Sequence, residues 1–385
     1  MLLMFRDEVM IANKIVGNNR PTFIVAEIGP NHDGKMSQAI DLIETAAKVG
    51  VDAVKFQAYT PRLTRTHDSP KANYQLRAKQ RTAWKMTSGL RIETNQFRKL
   101  KAVCDKCKVI FLVSIFDHRA LEEMREFNLA AIKTGSGEIL NTPLLEALAR
   151  EKKPMLVSTG MHSLDEVRKA VKVIKTAKND RLILFHCVSL YPTDPKDVNL
   201  RAMMTLHKSF GCPVGFSDHT NGIHIPVAAV AAGANILEKH FTLDKSLPGP
   251  DHAASLEPDE MADLVAKVRD LDKLPMQTRK TKLREWFNNR EMEEIEAAQG
   301  SGEKVWVKAE EEMRQKSRRS WHTIDDIHKG ETLNFRENVY YVKPFNKRGI
   351  APGGLTESAL KGAVAKRNLP NGTLLKWNDI EFKSR

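Results

Sequence analysis

Cysteine is scarce in this chain of 385 residues. The four present, Cys104, Cys107, Cys187 and Cys212, are too few and too scattered for a disulfide framework, so a reducing cytoplasm is the expected setting. Cys104 and Cys107 have redox spacing, but they fall late on a predicted outer helix and no second pair completes a zinc site. Long apolar runs are missing too: nothing approaches the ~20 uninterrupted residues of a membrane helix. The opening MLLMFRDEVM turns charged at residue 6 and lacks a small-residue cleavage site, which argues against a signal peptide. Basic residues outnumber acidic ones by 61 to 48, for a net charge of +13, yet they spread along the whole chain without a recognised nucleic-acid motif. No nucleic-acid and no membrane partner is expected. A basic surface that attracts anionic small substrates fits the balance better.

What is present is alternation. Hydrophobic content of 41% with a mean hydropathy of −0.41 suits a globular chain. After a predicted hairpin over 1–20, with an amphipathic piece at 8–16 and a turn at 17–19, strands and helices alternate eight times. The predicted strands are 23–28, 53–57, 109–114, 131–134, 155–158, 182–188, 213–216 and 235–239. Runs such as LILF at 182–185 are continuously apolar, as strands buried on both faces must be. Eight such units in about 250 residues predict an α/β fold, a (β/α)8 TIM barrel over 21–274. The stretch 275–317 is dense in Lys, Arg and Glu and reads as a charged linker with a helix near 290–298. From 318 to 385 a small β-rich module follows.

The polar residues gather where the strands end, which is the catalytic face of such a barrel. Glu27 closes the first strand, Lys55 and Gln57 the second, and Ser114 the third. Lys133, with Ser136 and Glu138, follows the fourth, and Ser158 the fifth. Ser189 and Tyr191 come next, then Ser217 with His219, and finally His240. Two lysines among several hydroxyls form a site for phosphate and carboxylate, since both groups call for charge-assisted donors. His219 and His240 are a candidate divalent-metal pair or, alternatively, hydrogen-bonded structural histidines. Asp218 is expected to support its neighbour rather than to ligate. His186 is expected to be a packed group. Lys55 or Lys133 could instead serve as the Schiff-base lysine of a barrel aldolase.

Seven stretches, in order, resemble the sialic acid synthase family: FIVAEIG at 23–29, AVKFQ at 53–57, KTGSGE at 133–138, STGM at 158–161, GFSDHT at 215–220, EKHFT at 238–242 and PGPDHAASLEP at 248–258. The C-terminal module, from RRSW at 318–321 through DIHKG at 326–330, resembles the antifreeze-like SAF domain. The resemblance implies condensation of phosphoenolpyruvate with an N-acetylated amino sugar, N-acetylmannosamine or its 6-phosphate, to give N-acetylneuraminate and phosphate. Attack of the phosphoenolpyruvate C3 on a metal-polarised aldehyde would precede water addition at C2. His219 and His240 would ligate Mn²⁺ (or Mg²⁺). Lys55, Ser114, Lys133, Ser136, Ser158, Ser189 and Ser217 would hold phosphoenolpyruvate, while Glu27, Gln57, Tyr191 and Asp251 would position the sugar. Glu138 would transfer the proton of the attacking water. Family enzymes are domain-swapped homodimers, so Arg319, or else Arg318, would reach across to the sugar's N-acyl group.

Legionaminic and pseudaminic acid synthases, which take diacetamido-trideoxyhexoses, share the same motifs, and the pocket around residues 59–74 would separate them. A carbohydrate- or ice-binding protein built on the C-terminal module, with a silent barrel, is the non-enzyme alternative. Borohydride treatment with a keto substrate should leave Lys55 and Lys133 unlabelled while a chelator abolishes turnover; labelling of either lysine would restore the aldolase.

Overall fold

Side-chain direction alternates along a strand, and here that period of two divides the chain into an apolar layer and a polar one. The structure is a computed structural model, and it describes residues 4–382. A hairpin of β1 (Glu8–Ile11) and β2 (Lys14–Gly17) leads in. Its turn falls at Ala12 and Asn13 rather than at 17–19, with Ala12 at a left-handed φ of 52°. Eight strands then close a parallel barrel: β3 (Phe23–Glu27), β4 (Ala53–Ala58), β5 (Ile110–Ile115), β6 (Ile132–Thr134), β7 (Met155–Ser158), β8 (Leu182–His186), β9 (Val214–Asp218) and β10 (Ile236–His240).

Phe23, Val25, Ala53, Leu112, Leu156, Ile183, Phe185 and Ile236 point into the barrel and form one cluster with Val9, Ile11 and Val16 of the hairpin. The hairpin therefore plugs the end from which the strands start. Residues of opposite parity, such as Ile24, Val54, Phe56, Val113 and Leu237, pack outward against the helices. Continuing the inward parity toward the C-terminal ends gives Glu27, Lys55, Gln57, Ser114, Lys133, Ser158, Ser217, Glu238 and His240. Fold and site come from the same alternation.

Outside the barrel, one helix is apolar all round. Every residue from His224 to Val230 is buried, which a surface helix would not permit. Helices at Met276–Trp286 and Asn289–Gln299 cover it. The expected linker is thus largely a helical layer, and the first of its helices escaped sequence reading because Leu283 is its one buried residue. The chain then returns across the barrel mouth in a short helix, Glu311–Ser317.

The C-terminal module contains two small antiparallel pairs, β11 (Ser320–Thr323) with β12 (Val339–Val342), and β13 (Ala363–Ala365) with β14 (Ile380–Phe382). Trp321, Tyr340 and Tyr341 fill its core, together with Leu63 from the barrel. It seats on the barrel: Thr66 N donates to the Lys343 carbonyl at 3.0 Å, Lys343 N to that of Thr64 at 3.0 Å, and His118 Nδ1 lies 2.8 Å from Tyr340 Oη. No helix among the described residues is long and apolar enough to cross a membrane.

Gly215 shows how closely β9 and β10 approach. A Cβ there would lie 2.4 Å from the Ile236 carbonyl oxygen, a backbone atom that cannot yield. Gly215→Ala should cost about 1–3 kcal/mol by overpacking, measured as a lower urea midpoint at unchanged slope; a wild-type midpoint would contradict this packing.

Candidate active site

At the mouth of the barrel four inward charges alternate in sign. Lys55 is ion-paired with Glu27, donates to Ser114 Oγ at 2.9 Å and lies 3.7 Å from Glu238. Lys133 reaches both oxygens of Glu238, at 3.0 and 2.9 Å. Ser217 Oγ donates to Glu238 at 3.0 Å, and Gln57 Nε2 to Glu27 at 2.9 Å. Burial works against charge on Glu238, Lys55 and Lys133. Against it, Lys133 and Lys55 hold the Glu238 carboxyl down at about 2, so the carboxylate stays ionised. Against burial, Glu238 and Glu27 hold Lys55 in its charged form, which makes it a poor Schiff-base nucleophile, whereas burial lowers Lys133. Glu238 was not among the expected site residues, although a signal existed: it stands two positions before His240 and shares its face.

The adjoining loops add hydroxyls and backbone donors. Ser136 Oγ accepts from Gly160 N at 3.0 Å and lies 3.2 Å from Cys187 Sγ. Ser158 and Ser189 face the same cavity. Glu310, from the returning segment, accepts from Ser189 N at 2.7 Å and from Met161 N at 2.8 Å, tying two of these loops together.

On the opposite wall stand the histidines. Their rings are 5.5 Å apart, with Tyr191 tilted against His219 at 4.1 Å and Tyr74 stacked 4.7 Å from Tyr191. His219 Nδ1 sits 2.7 Å from the Val188 carbonyl; a carbonyl only accepts, so Nδ1 carries the hydrogen and Nε2 keeps its lone pair. Burial pushes His219 down to about 4 and His240 well below its ordinary value, so both rings are neutral. Asp251 lies 3.4 Å from His240 without hydrogen-bond geometry, and burial, with Glu27 nearby, raises it to about 7. Asp218 points outward, as expected of a support. It pairs with Lys239 at 2.5 Å and accepts from Thr220 N at 3.0 Å, which pins the strand ends bearing both histidines. His186 also points outward, packed with Nε2 at 2.7 Å from the Val198 carbonyl. Among the described residues no group of three or more His, Cys, Asp or Glu forms a metal cage.

Two expected residues lie elsewhere. Glu138 does not line the cavity; it is wholly buried, bound by Arg319 Nε at 2.6 Å and by Asn141 at 2.8 Å. Arg319 is equally buried. It is spent on Glu138 and on the carbonyls of Leu63 (2.8 Å), Phe116 (2.7 Å) and Tyr341 (3.0 Å), all in its own chain. Arg318 pairs with Glu166 at 3.4 Å. The cation that the C-terminal module does present to the cavity is Lys343, which burial lowers to about 7. No sequence signal marks Lys343, because only docking of the module brings it there.

A profile described as the NeuB family matches residues 42–280. The chain belongs to the NeuB family. It is 36% identical over 371 residues to the N,N'-diacetyllegionaminic acid synthase of Legionella pneumophila, covering 95% of this chain and 96% of that one. To the human N-acetylneuraminate-9-phosphate synthase it is 38% identical over 260 residues, 66% of this chain and 71% of the other. The crystal structure of the spore coat polysaccharide biosynthesis protein SpsE from Bacillus subtilis superposes with a TM-score of 0.77 at 32% identity, covering 98% of this chain and 100% of that one. As a NeuB-family member the chain is an enzyme of the nonulosonic acid synthase class.

The burial of Glu138 and Arg319 generates a test of their role. Glu138→Gln leaves a buried guanidinium uncompensated and should cost about 3–5 kcal/mol of stability, while folded protein keeps most of its turnover. Unchanged thermal stability with lost turnover would return Glu138 to proton transfer.

Proposed function

We propose that the chain condenses phosphoenolpyruvate with N-acetylmannosamine, or its 6-phosphate, and water to give N-acetylneuraminate, or its phosphate ester, and inorganic phosphate. The observation that carries the reading is the Lys55–Glu27 and Lys133–Glu238 network, ringed by serines and faced by two neutral imidazoles. An incoming phosphate and carboxylate compete with Glu27 and Glu238 for the two ammonium groups and gain Ser114, Ser136, Ser158, Ser189 and Ser217 as further donors. Tyr191, Gln57 and Asp251 line the remaining space, where the sugar sits.

His219 and His240 fit a divalent ion such as Mn²⁺ or Mg²⁺: both rings are neutral, and the His219 tautomer aims Nε2 away from its backbone partner. Such an ion, when bound, supplies Lewis acidity toward the aldehyde. The residues do the rest. The paired lysines orient phosphoenolpyruvate with C3 toward the sugar, and the aromatic wall of Tyr74, Tyr191 and His219 excludes water from that side. Glu27, which lines the cavity where Glu138 does not, takes the proton of the water that adds at C2. Fixed carboxylates stabilise positive charge developing at C2.

The C-terminal module acts as an antifreeze-like cap over the mouth. In a domain-swapped homodimer every contact described within one chain recurs between two, since exchange of an identical element preserves its interface. A legionaminic or pseudaminic acid synthase is the alternative, supported by the high coverage of the legionaminic acid synthase relative.

Phosphate release from phosphoenolpyruvate, assayed with N-acetylmannosamine, its 6-phosphate and the diacetamido-trideoxy sugars, tests the reading; no release with any of them would refute it. His219→Ala and His240→Ala should each lower turnover about 10²-fold or more at wild-type far-ultraviolet circular dichroism. Near-normal rates in either variant would remove that histidine from the site.

A further inference from the structure

Nearly every cation so far placed around the barrel mouth has its own carboxylate. Lys55 and Lys133 share Glu27 and Glu238, and Arg319 holds Glu138. Arg65 has none. Its Nε is buried without a hydrogen-bond partner, and no carboxylate lies within ion-pair distance of it among the described residues. A guanidinium cannot shed its proton at working pH, and Arg65, only partly exposed, has little water to stand in for a counter-ion. An anion arriving with a ligand would supply the partner.

The position of Arg65 says which ligand. It follows β4 in a loop bridged to Lys343 of the C-terminal module, and it lines the central cavity beside Tyr59, Tyr74 and Lys343. The aromatic wall leads there from the imidazoles: His219 to Tyr191, Tyr191 to Tyr74, and Tyr74 to the neighbourhood of Arg65. Phosphoenolpyruvate is already provided for by the lysines and serines. What lies between the imidazoles and Arg65 is the sugar, aldehyde at one end. Glu138, 3.7 Å from Lys343 Nζ, is already taken by Arg319 at 2.6 Å, so positive charge is in excess at this end. A planar guanidinium matches an oxyanion in two parallel hydrogen bonds, whereas a neutral acyl oxygen would leave its charge uncompensated.

We propose that Arg65 is a specificity-determining residue that holds an oxyanion at the end of the sugar remote from its aldehyde, so that the acceptor is an anionic sugar, a phosphate monoester or a uronate. The assignment rests on the synthase reading above and narrows it. Wild type, Arg65→Met and Arg65→Lys are compared for phosphate release from phosphoenolpyruvate with N-acetylmannosamine, its 6-phosphate and its uronic acid. One of the two anionic sugars should exceed the neutral one at least about ten-fold in kcat/KM, and which one it is separates phosphate from carboxylate. Arg65→Met should raise KM for that sugar about ten-fold or more, well beyond any change with the neutral sugar. Arg65→Lys, which keeps the charge and loses the fork, should fall between. Preference for the neutral sugar, or equal losses on all three, overturns the proposal and leaves the synthase standing. If no sugar releases phosphate, the synthase reading itself fails. Calorimetric titration of the sugar 6-phosphate and the uronic acid then decides for Arg65, since equal affinity of wild type and Arg65→Met for both overturns it.

Discussion

The site depends on four charges held inside a barrel. Glu27, Lys55, Glu238 and Lys133 alternate in sign on the inner face of β3, β4, β10 and β6, and none has enough water around it to stand alone. Each ion is tolerable only because its neighbours are in place, so loss of any one would strand another. The register enforces this. Glu27 lies beside Lys55 across β3 and β4, His240 beside Glu27, and Glu238 beside Ser217. A network so arranged presents two ammonium groups to the cavity on a rigid frame of strands.

Desolvation has the opposite effect on the histidines. The burial that would penalise isolated lysines keeps His219 and His240 neutral, and neutral imidazole is the form with lone pairs to offer. Outside the barrel, Asp218 and Lys239 pair on the face turned away from substrate, fixing the two strand ends that carry these rings. The C-terminal module completes the enclosure from above. Its deepest contact, Arg319 on Glu138, fastens the cap, while its pocket-facing cation is Lys343. Fastening and lining the cavity are therefore separate duties of one module.

Much of the barrel was legible in advance. Eight alternations of apolar run and amphipathic helix leave few other topologies, and the strand bounds moved by only a residue or two. The strand-end residues Lys55, Ser114, Lys133, Ser158 and Ser217 converge because strand parity is a local property. That Glu138 and Arg319 meet each other, away from the cavity lining, was not legible for the converse reason. Motif position does not reveal whether a side chain turns toward the cavity or toward a neighbouring loop. Gly137, whose added Cβ would lie 2.4 Å from the Ser317 carbonyl, marks where the returning chain presses on that loop.

Sequence alone determined the parallel barrel, the inward polar layer and the pairing of two histidines, since all three follow from periods of 2 and 3.6 residues within short stretches. Tertiary structure decided what depends on distant segments meeting. It set Glu238 between two lysines, turned a charged stretch into a helical cover for His224–Ala231, spent Arg319 on Glu138, and left Arg65 without a counter-ion beside Lys343. Those outcomes are fixed by packing between segments as far apart as the β4 loop and the C-terminal module, and no local pattern encodes them.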